Sequence, residues 1–125
     1  MLHVDQAFSG FSVDDLAKAK AFYADVLGMT VTDDHGALNL AIGGGKIVYV
    51  YQKDDHVPAT YTCLNFPVDN IDSTVEDLVG AGISFERYEM TDDKGVFRGL
   101  EKDQGPNIAW LKDPAGNIIS VMQRS

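Results

Sequence analysis

The sequence predicts an α+β fold made of two tandem modules, each a strand, a helix and then three strands. Two internal matches carry the prediction. Phe8-Ser-Gly-Phe-Ser-Val-Asp-Asp-Leu16 and Cys63-Leu-Asn-Phe-Pro-Val-Asp-Asn-Ile71 set Phe11 on Phe66, Val13 on Val68 and Asp14 on Asp69, at a shift of 55 residues. Gly45-Lys-Ile-Val-Tyr-Val-Tyr-Gln52 aligns with Gly116-Asn-Ile-Ile-Ser-Val-Met-Gln123 at a shift of 71. A third observation is the order of patterns, which in both halves runs from alternation to helical spacing and back to alternation.

The first strand is expected over 6–13, with Phe11 and Val13 on one face and Phe8, Gly10 and Ser12 on the other. Asp14 or Asp15 caps the helix that follows. Leu16, Ala19, Tyr23, Val26 and Leu27 form its apolar stripe, and Gly28 suits a left-handed C-terminal cap. Strands over 29–32, 37–42 and 46–52 complete the module, separated by Asp33-Asp-His-Gly36 and Gly43-Gly-Gly45 turns. In the second half a strand over 61–68 leads to a helix carrying Ile71, Val75, Leu78 and Val79, closed near Gly82. Strands are expected over 83–88, 96–100, 107–112 and 117–123. Module one therefore spans about 6–52 and module two 61–123, joined by a polar linker over 53–60 within one domain, 1–125.

One turn fixes a register. Asp113-Pro-Ala-Gly-Asn117 suits a three-residue hairpin loop with Pro114 after its first position and Gly116 left-handed. Asp113 then pairs with Asn117, which puts Trp110 opposite Ser120. The repeat places Asn39 opposite Tyr49 in the same way.

Composition narrows the class. The 125 residues, 45% hydrophobic, are enough for one core that buries roughly two thirds of the unfolded surface without a disulfide or structural metal. The lone cysteine, Cys63, excludes an internal disulfide. No secretory signal and no run of ~18 apolar residues is visible, so a soluble cytoplasmic protein with no membrane partner is expected. A net charge of -9 argues against nucleic-acid binding. The acidic residues fall in pairs at turns and helix starts, where they solubilise and cap, and the surface they create suits cationic ligands.

Val13-Asp-Asp-Leu16 with Ala21-Phe-Tyr-Ala-Asp-Val-Leu-Gly28, Phe66-Pro-Val-Asp-Asn-Ile71 with Leu78-Val-Gly-Ala-Gly82, and Trp110-Leu-Lys-Asp-Pro-Ala-Gly-Asn117 together resemble the vicinal oxygen chelate superfamily. That superfamily includes glyoxalases, bleomycin-resistance proteins and extradiol dioxygenases. The resemblance covers nearly the whole chain and implies that two βαβββ modules curl mixed sheets around a concave pocket. It also implies a homodimer. In enzymatic members, His or Glu from the first and last strand of each module holds a divalent metal. Carried over, those positions are Phe8, Tyr49, Cys63 and Ser120, which supply no imidazole or carboxylate. No metal or other cofactor is expected. His3, His35 and His56 fall at the terminus, in a turn and in the linker.

The concave face is expected to carry Phe8, Ser12, Asn39, Tyr49, Tyr51, Cys63, Asn65, Trp110, Ser120 and Met122. Rings, a thioether and a few hydrogen-bonding groups suit a small organic ligand, planar or cationic, with the alternative that the rings fill a closed core. The favoured reading is a metal-free binding protein that sequesters its ligand, similar to bleomycin-resistance proteins. An enzyme on the same scaffold is the alternative, either metal-free through Cys63 or a tyrosine, or metal-dependent, and no catalytic residue is assigned. The 91–99 excursion is read as an ordinary hairpin with a solvated Arg98, or else as a flap that brings Phe97 and Arg98 to the pocket.

Overall fold

Alternating apolar residues followed by a capped helix build the same unit twice. The computed structural model describes all 125 residues and divides into two compact units, Met1–Pro58 and Ala59–Ser125. In the first, β1 (Ser9–Val13), α1 (Leu16–Ala21), β2 (Val31–Asp34), β3 (Ala37–Gly43) and β4 (Lys46–Gln52) give a sheet of order β1-β4-β3-β2. In the second, β5 (Thr62–Pro67), α2 (Ile71–Gly80), β6 (Val96–Arg98), β7 (Asn107–Lys112) and β8 (Ile118–Gln123) repeat it as β5-β8-β7-β6. In each sheet the first and last strands run parallel and the other pairs antiparallel. The α+β fold of tandem βαβββ modules is as the sequence predicts.

The repeat extends to hydrogen bonds that the sequence alone does not show. Asp15 caps α1 by accepting from Lys18 N at 3.0 Å, and Asn70 caps α2 by accepting from Ser73 N at 3.0 Å. The glutamine that ends each module's last strand caps the same helix a second time. Gln52 Oε1 accepts from Leu16 N, and Gln123 Oε1 from Ile71 N, both at 3.0 Å. Two of the four donors left over at each helix start are thus satisfied by residues in equivalent places.

One face of each sheet packs on its helix. Phe11, Val13, Leu38, Leu40, Val48 and Val50 are buried with Ala19, Phe22 and Tyr23 in the first unit. Helical spacing missed Phe22 because α1 passes into a π turn over Phe22–Val26, where Leu27 N reaches back to Phe22 O. The wider turn shifts the phase of the stripe, so two consecutive rings are buried. In the second unit Leu64, Ile71, Val75, Phe85, Val96, Ala109, Leu111, Ile119 and Val121 form the core. Val79, predicted to face it, is exposed.

Four boundaries differ from expectation. β2 runs over Val31–Asp34, two residues later than expected, because Asp33 and Asp34, expected in the turn, pair with Leu38 and Ala37. A short 3₁₀ turn, Val4–Gln6, occupies the predicted start of the first strand, so pairing begins at Ser9 and Phe8 lies just outside the ladder. The run over 83–88 is not a strand. Glu86 N donates to Trp110 O at 2.8 Å, on the part of β7 beyond the Asn107 to Ala109 stretch that β6 pairs, but no ladder forms, and β6 is the strand beside β7. β6 itself stops at Arg98, because Leu100–Lys102 turns as a 3₁₀ helix.

The hairpin registers hold. Asn39 faces Tyr49 and Trp110 faces Ser120. Asp113 N donates to Asn117 O at 2.9 Å, and Gly116 takes φ 85°. The buried Asp113 also accepts from Ala115 N, Asn117 N and Asn117 Nδ2, while Asn117 Oδ1 accepts from Ala59 N at 3.1 Å. No helix is long and apolar enough to cross a membrane.

Candidate functional site

The face of each sheet opposite its helix is set by register. In the first unit one row holds Gly10, Tyr49, Asn39 and Thr32, and the next holds Ser12 and Tyr51. Gly10 is required there, since a Cβ would stand 2.8 Å from the carbonyl oxygen of Tyr49. Tyr49 and Tyr51 stack with centroids 6.0 Å apart and planes at 29°, and Phe8 meets Tyr49 edge-on at 6.1 Å. Phe8 is 64% exposed and Tyr51 39%, so these rings form a surface and not a filled core. Five predicted residues, Phe8, Ser12, Asn39, Tyr49 and Tyr51, belong to this one face.

Polar groups frame the rings. Ser12 Oγ lies 2.6 Å from Nδ1 of His56, which is half-buried and anchored by a turn in which His56 N donates to Lys53 O. The linker histidine is therefore part of this face. Asn39 Nδ2 donates to Asp34 Oδ2 at 3.2 Å, and Asp34 Oδ1 is 2.8 Å from Nδ1 of His35. Hydrogen bonds from His35 and then Asn39 hold the Asp34 carboxyl below the usual carboxylate range. The carbonyl oxygen of Asn39 is buried without a hydrogen-bond partner.

In the second unit Asn65, Ser120 and Trp110 share a row, with Met122 beside Ile108 and Pro67. Ser120, fully buried, donates to Asn65 Oδ1 at 2.5 Å. With that oxygen engaged, the amide of the exposed Asn65 keeps its NH₂ for other partners. Trp110, half-buried, meets Tyr88 edge-on at 5.5 Å. Cys63 sits at a bulge between Thr62 and Leu64, its thiol donating to Ile118 O at 3.4 Å. Burial, and then the charge of Asp113, push that thiol up to about 11. It is a protonated thiol at neutral pH, unsuited to nucleophilic attack.

Phe97 and Arg98 face opposite sides. Phe97 pairs with Ile108 and so shares the Trp110 face, where Lys102 Nζ lies 5.4 Å from its ring centre. Arg98 is not solvated. Its guanidinium binds both oxygens of Asp72 on α2, at 2.7 and 3.1 Å, and Asp92 at 3.0 Å, tying the excursion to the helix. These acids raise the Arg98 pKa further, Asp72 foremost.

The four positions to which the family resemblance assigns a metal do not fit one. Phe8 has no donor atom, Ser120 is committed to Asn65, Cys63 is a lone thiol and Tyr49 a phenol, which is no oxygen-rich or imidazole-rich set. Their neighbours in the ladders, Gly10 beside Tyr49 and Asn65 beside Ser120, add no imidazole or carboxylate. No group of three or more His, Cys, Asp or Glu is arranged to hold a metal ion anywhere in the chain. A surface cavity of about 270 Å³ lies elsewhere, by Leu100, Asp103, Gly105, Pro106 and Arg124, none of them predicted site residues.

Asp34, Tyr88 and His56 escaped sequence reasoning. Alternation over 83–88 was the available signal for Tyr88. Nothing local marks His56, whose partner is 44 residues away.

Duplicated βαβββ units with parallel outer strands, each presenting side chains on the face its helix leaves bare, define a class of paired-module proteins. This chain belongs to the Glyoxalase/Bleomycin resistance protein/Dioxygenase superfamily, whose family model matches residues 2–121. Among solved structures it is similar to a glyoxalase family protein from Enterococcus faecalis, at 20% identity and TM-score 0.69 over 98% of this chain and 99% of that one. It is also similar to TnmS3, an antibiotic binding protein from Streptomyces sp. CB03234, at 22% identity and TM-score 0.67 over 96% and 97%. A third similar structure is a superfamily member from Sphaerobacter thermophilus, at 19% identity and TM-score 0.67 over 94% and 97%. A search of curated proteins returns no match.

Proposed function

We propose that this protein is a metal-free small-molecule binding protein that sequesters a planar or cationic organic ligand. The observation that carries the reading is the partly exposed cluster of Phe8, Tyr49 and Tyr51 on a sheet face framed by hydrogen-bonding groups but lacking a metal donor set. Stacking supplies affinity, and Ser12 and Asn39 supply orientation on the same face. On the second unit taken by itself, Trp110, Met122 and the free NH₂ of Asn65 offer aromatic, adaptable apolar and amide surface, while Ser120 holds Asn65 and Cys63 packs against Ile118. The acidic surface favours cationic ligands. The similarity in fold to TnmS3 supports a binding role. We further propose a cytoplasmic homodimer with no nucleic-acid or membrane partner.

Titration with planar aromatic and cationic antibiotics, followed by the fluorescence of Trp110, the only tryptophan, tests the reading. Saturable quenching supports it, and an unchanged spectrum across the panel removes it. One observation favours the second reading, a metal-free enzyme: the Ser12 hydroxyl lies against an imidazole at 2.6 Å. Covalent labelling of Ser12 by a fluorophosphonate would support that reading, and its absence would remove this ground for it.

A further inference from the structure

The bare face of the first sheet holds a buried acceptor that accepts nothing. Asn39 lies between Thr32 of β2 and Tyr49 of β4 in one row, and its Oδ1 has neither solvent access nor a hydrogen-bond partner. Such atoms are uncommon in native folds, because a lost hydration bond is not replaced. Turning the amide over gives no relief. Nδ2 donates to Asp34 Oδ2, and the other Asp34 oxygen is engaged by His35. An inverted amide would set Oδ1 against a carboxylate, two acceptors facing each other. Asp34 therefore decides which end of Asn39 is left over.

The same contact makes the leftover end a better acceptor. An NH₂ that donates to a carboxylate shifts electron density toward its carbonyl oxygen, and the effect is largest away from water. His35 and Asn39 keep Asp34 ionised well into the acid range, so the arrangement persists at neutral pH. Tyr49 is the cross-strand neighbour of Asn39, and it stacks on Tyr51 and meets the edge of Phe8 on the same sheet face, which suits a flat ring.

We propose that Asn39 Oδ1 is the specificity element of this face, and that the ligand is a planar nitrogen heterocycle whose N–H donates to it. The inference rests on the small-molecule binding reading above and narrows its ligand class. Because Oδ1 has no solvent access, binding proceeds with a local rearrangement of its surroundings.

Two probes separate donor from shape and charge: 4-aminoquinoline, protonated at neutral pH, and 1-methyl-4-(dimethylamino)quinolinium, which has the same ring system and charge but no N–H. Calorimetric Kd values are measured for both on the wild type and on Asn39→Leu, with thermal denaturation of each protein. The wild type is expected to prefer 4-aminoquinoline by about tenfold, the worth of one hydrogen bond to a buried acceptor. Asn39→Leu is expected to bind the two alike and to melt no lower than the wild type, because it loses an unsatisfied atom. Should leucine prevent folding, Asn39→Ala gives the same binding readout.

Equal affinities in the wild type, or a preference that survives the substitution, overturn the inference and leave the binding reading standing. A markedly lower melting point for a folded Asn39→Leu overturns it too, by showing that Oδ1 already has a partner. Failure of both probes to bind the wild type overturns the inference and counts against planar cations as ligands of this face.

Discussion

Replacing Arg98 with methionine removes three charge-assisted hydrogen bonds, from Nη1 and Nη2 to Asp72 and from Nε to Asp92, while keeping much of the stem's volume. In a buried site, bonds to charged partners are worth about 1.5–3 kcal/mol each. Exposed ion pairs are worth about 0–1 kcal/mol. The Arg98 side chain is 23% exposed, Asp92 30% and Asp72 49%, so the set lies between these limits and a loss of about 1–2 kcal/mol is expected at neutral pH. Asp72 sits below its ordinary value of 3.8 because Arg98 hydrogen-bonds to it. For Asp92, burial acts upward, but hydrogen bonds from Val96, Arg98 and Lys94 outweigh it and hold the carboxyl below 3.8. A group lowered by folding stabilises the native state above its unfolded pKa and loses that contribution as pH falls through the folded value. Urea denaturation should therefore show a gap between wild type and R98M that is full at neutral pH and closes progressively below 3.8. No gap at neutral pH, or one that persists undiminished in acid, refutes the electrostatic account. A persistent gap would assign the loss to packing of the arginine stem.

Gly10→Ala sets a methyl group 2.8 Å from the Tyr49 carbonyl oxygen, forcing β1 from β4, and should cost about 1–3 kcal/mol in urea denaturation. Asp113→Ala strips the acceptor from Ala115 N, Asn117 N and Asn117 Nδ2 in a buried turn, and a loss of about 3 kcal/mol by the same assay is expected. Cys63 should react with iodoacetamide roughly a hundredfold more slowly than a free cysteine at neutral pH, its rate still rising with pH toward 11, and a plateau near 9 would contradict the burial argument. Tyr49→Ala should weaken binding of 4-aminoquinoline by about tenfold in calorimetry while leaving the fold intact by circular dichroism.

Features set by local chemistry were legible in the sequence. Asp113, Pro114 and Gly116 define one turn geometry, and from it the pairing of Trp110 with Ser120 follows by counting. The repeat carried that register to Asn39 and Tyr49, and the Asp14-Asp15 pair placed the first helix cap within a residue. What escaped depends on partners distant in sequence. The 83–88 run alternates like a strand, yet β6 and not this run forms the ladder beside β7, a choice no local pattern reveals. Arg98 reads as a surface charge until α2 brings Asp72 to it from 26 residues away. His56 reads as a linker residue until a turn sets it on Ser12. The π turn that buries Phe22 breaks the helical period on which its prediction relied. Of the candidate site, the sequence supplied the ring-bearing strands, whereas the polar frame of Asp34, His35 and His56 came from the end of β2, the turn after it and the linker.

Calorimetric titration of chelator-treated protein with nickel, zinc, manganese and iron(II) tests the central claim most directly. Phe8, Tyr49, Cys63 and Ser120 offer no donor set for a divalent ion, so no stoichiometric uptake is predicted. Tight one-to-one binding of any of these ions would contradict the account and return the chain to metal-dependent chemistry.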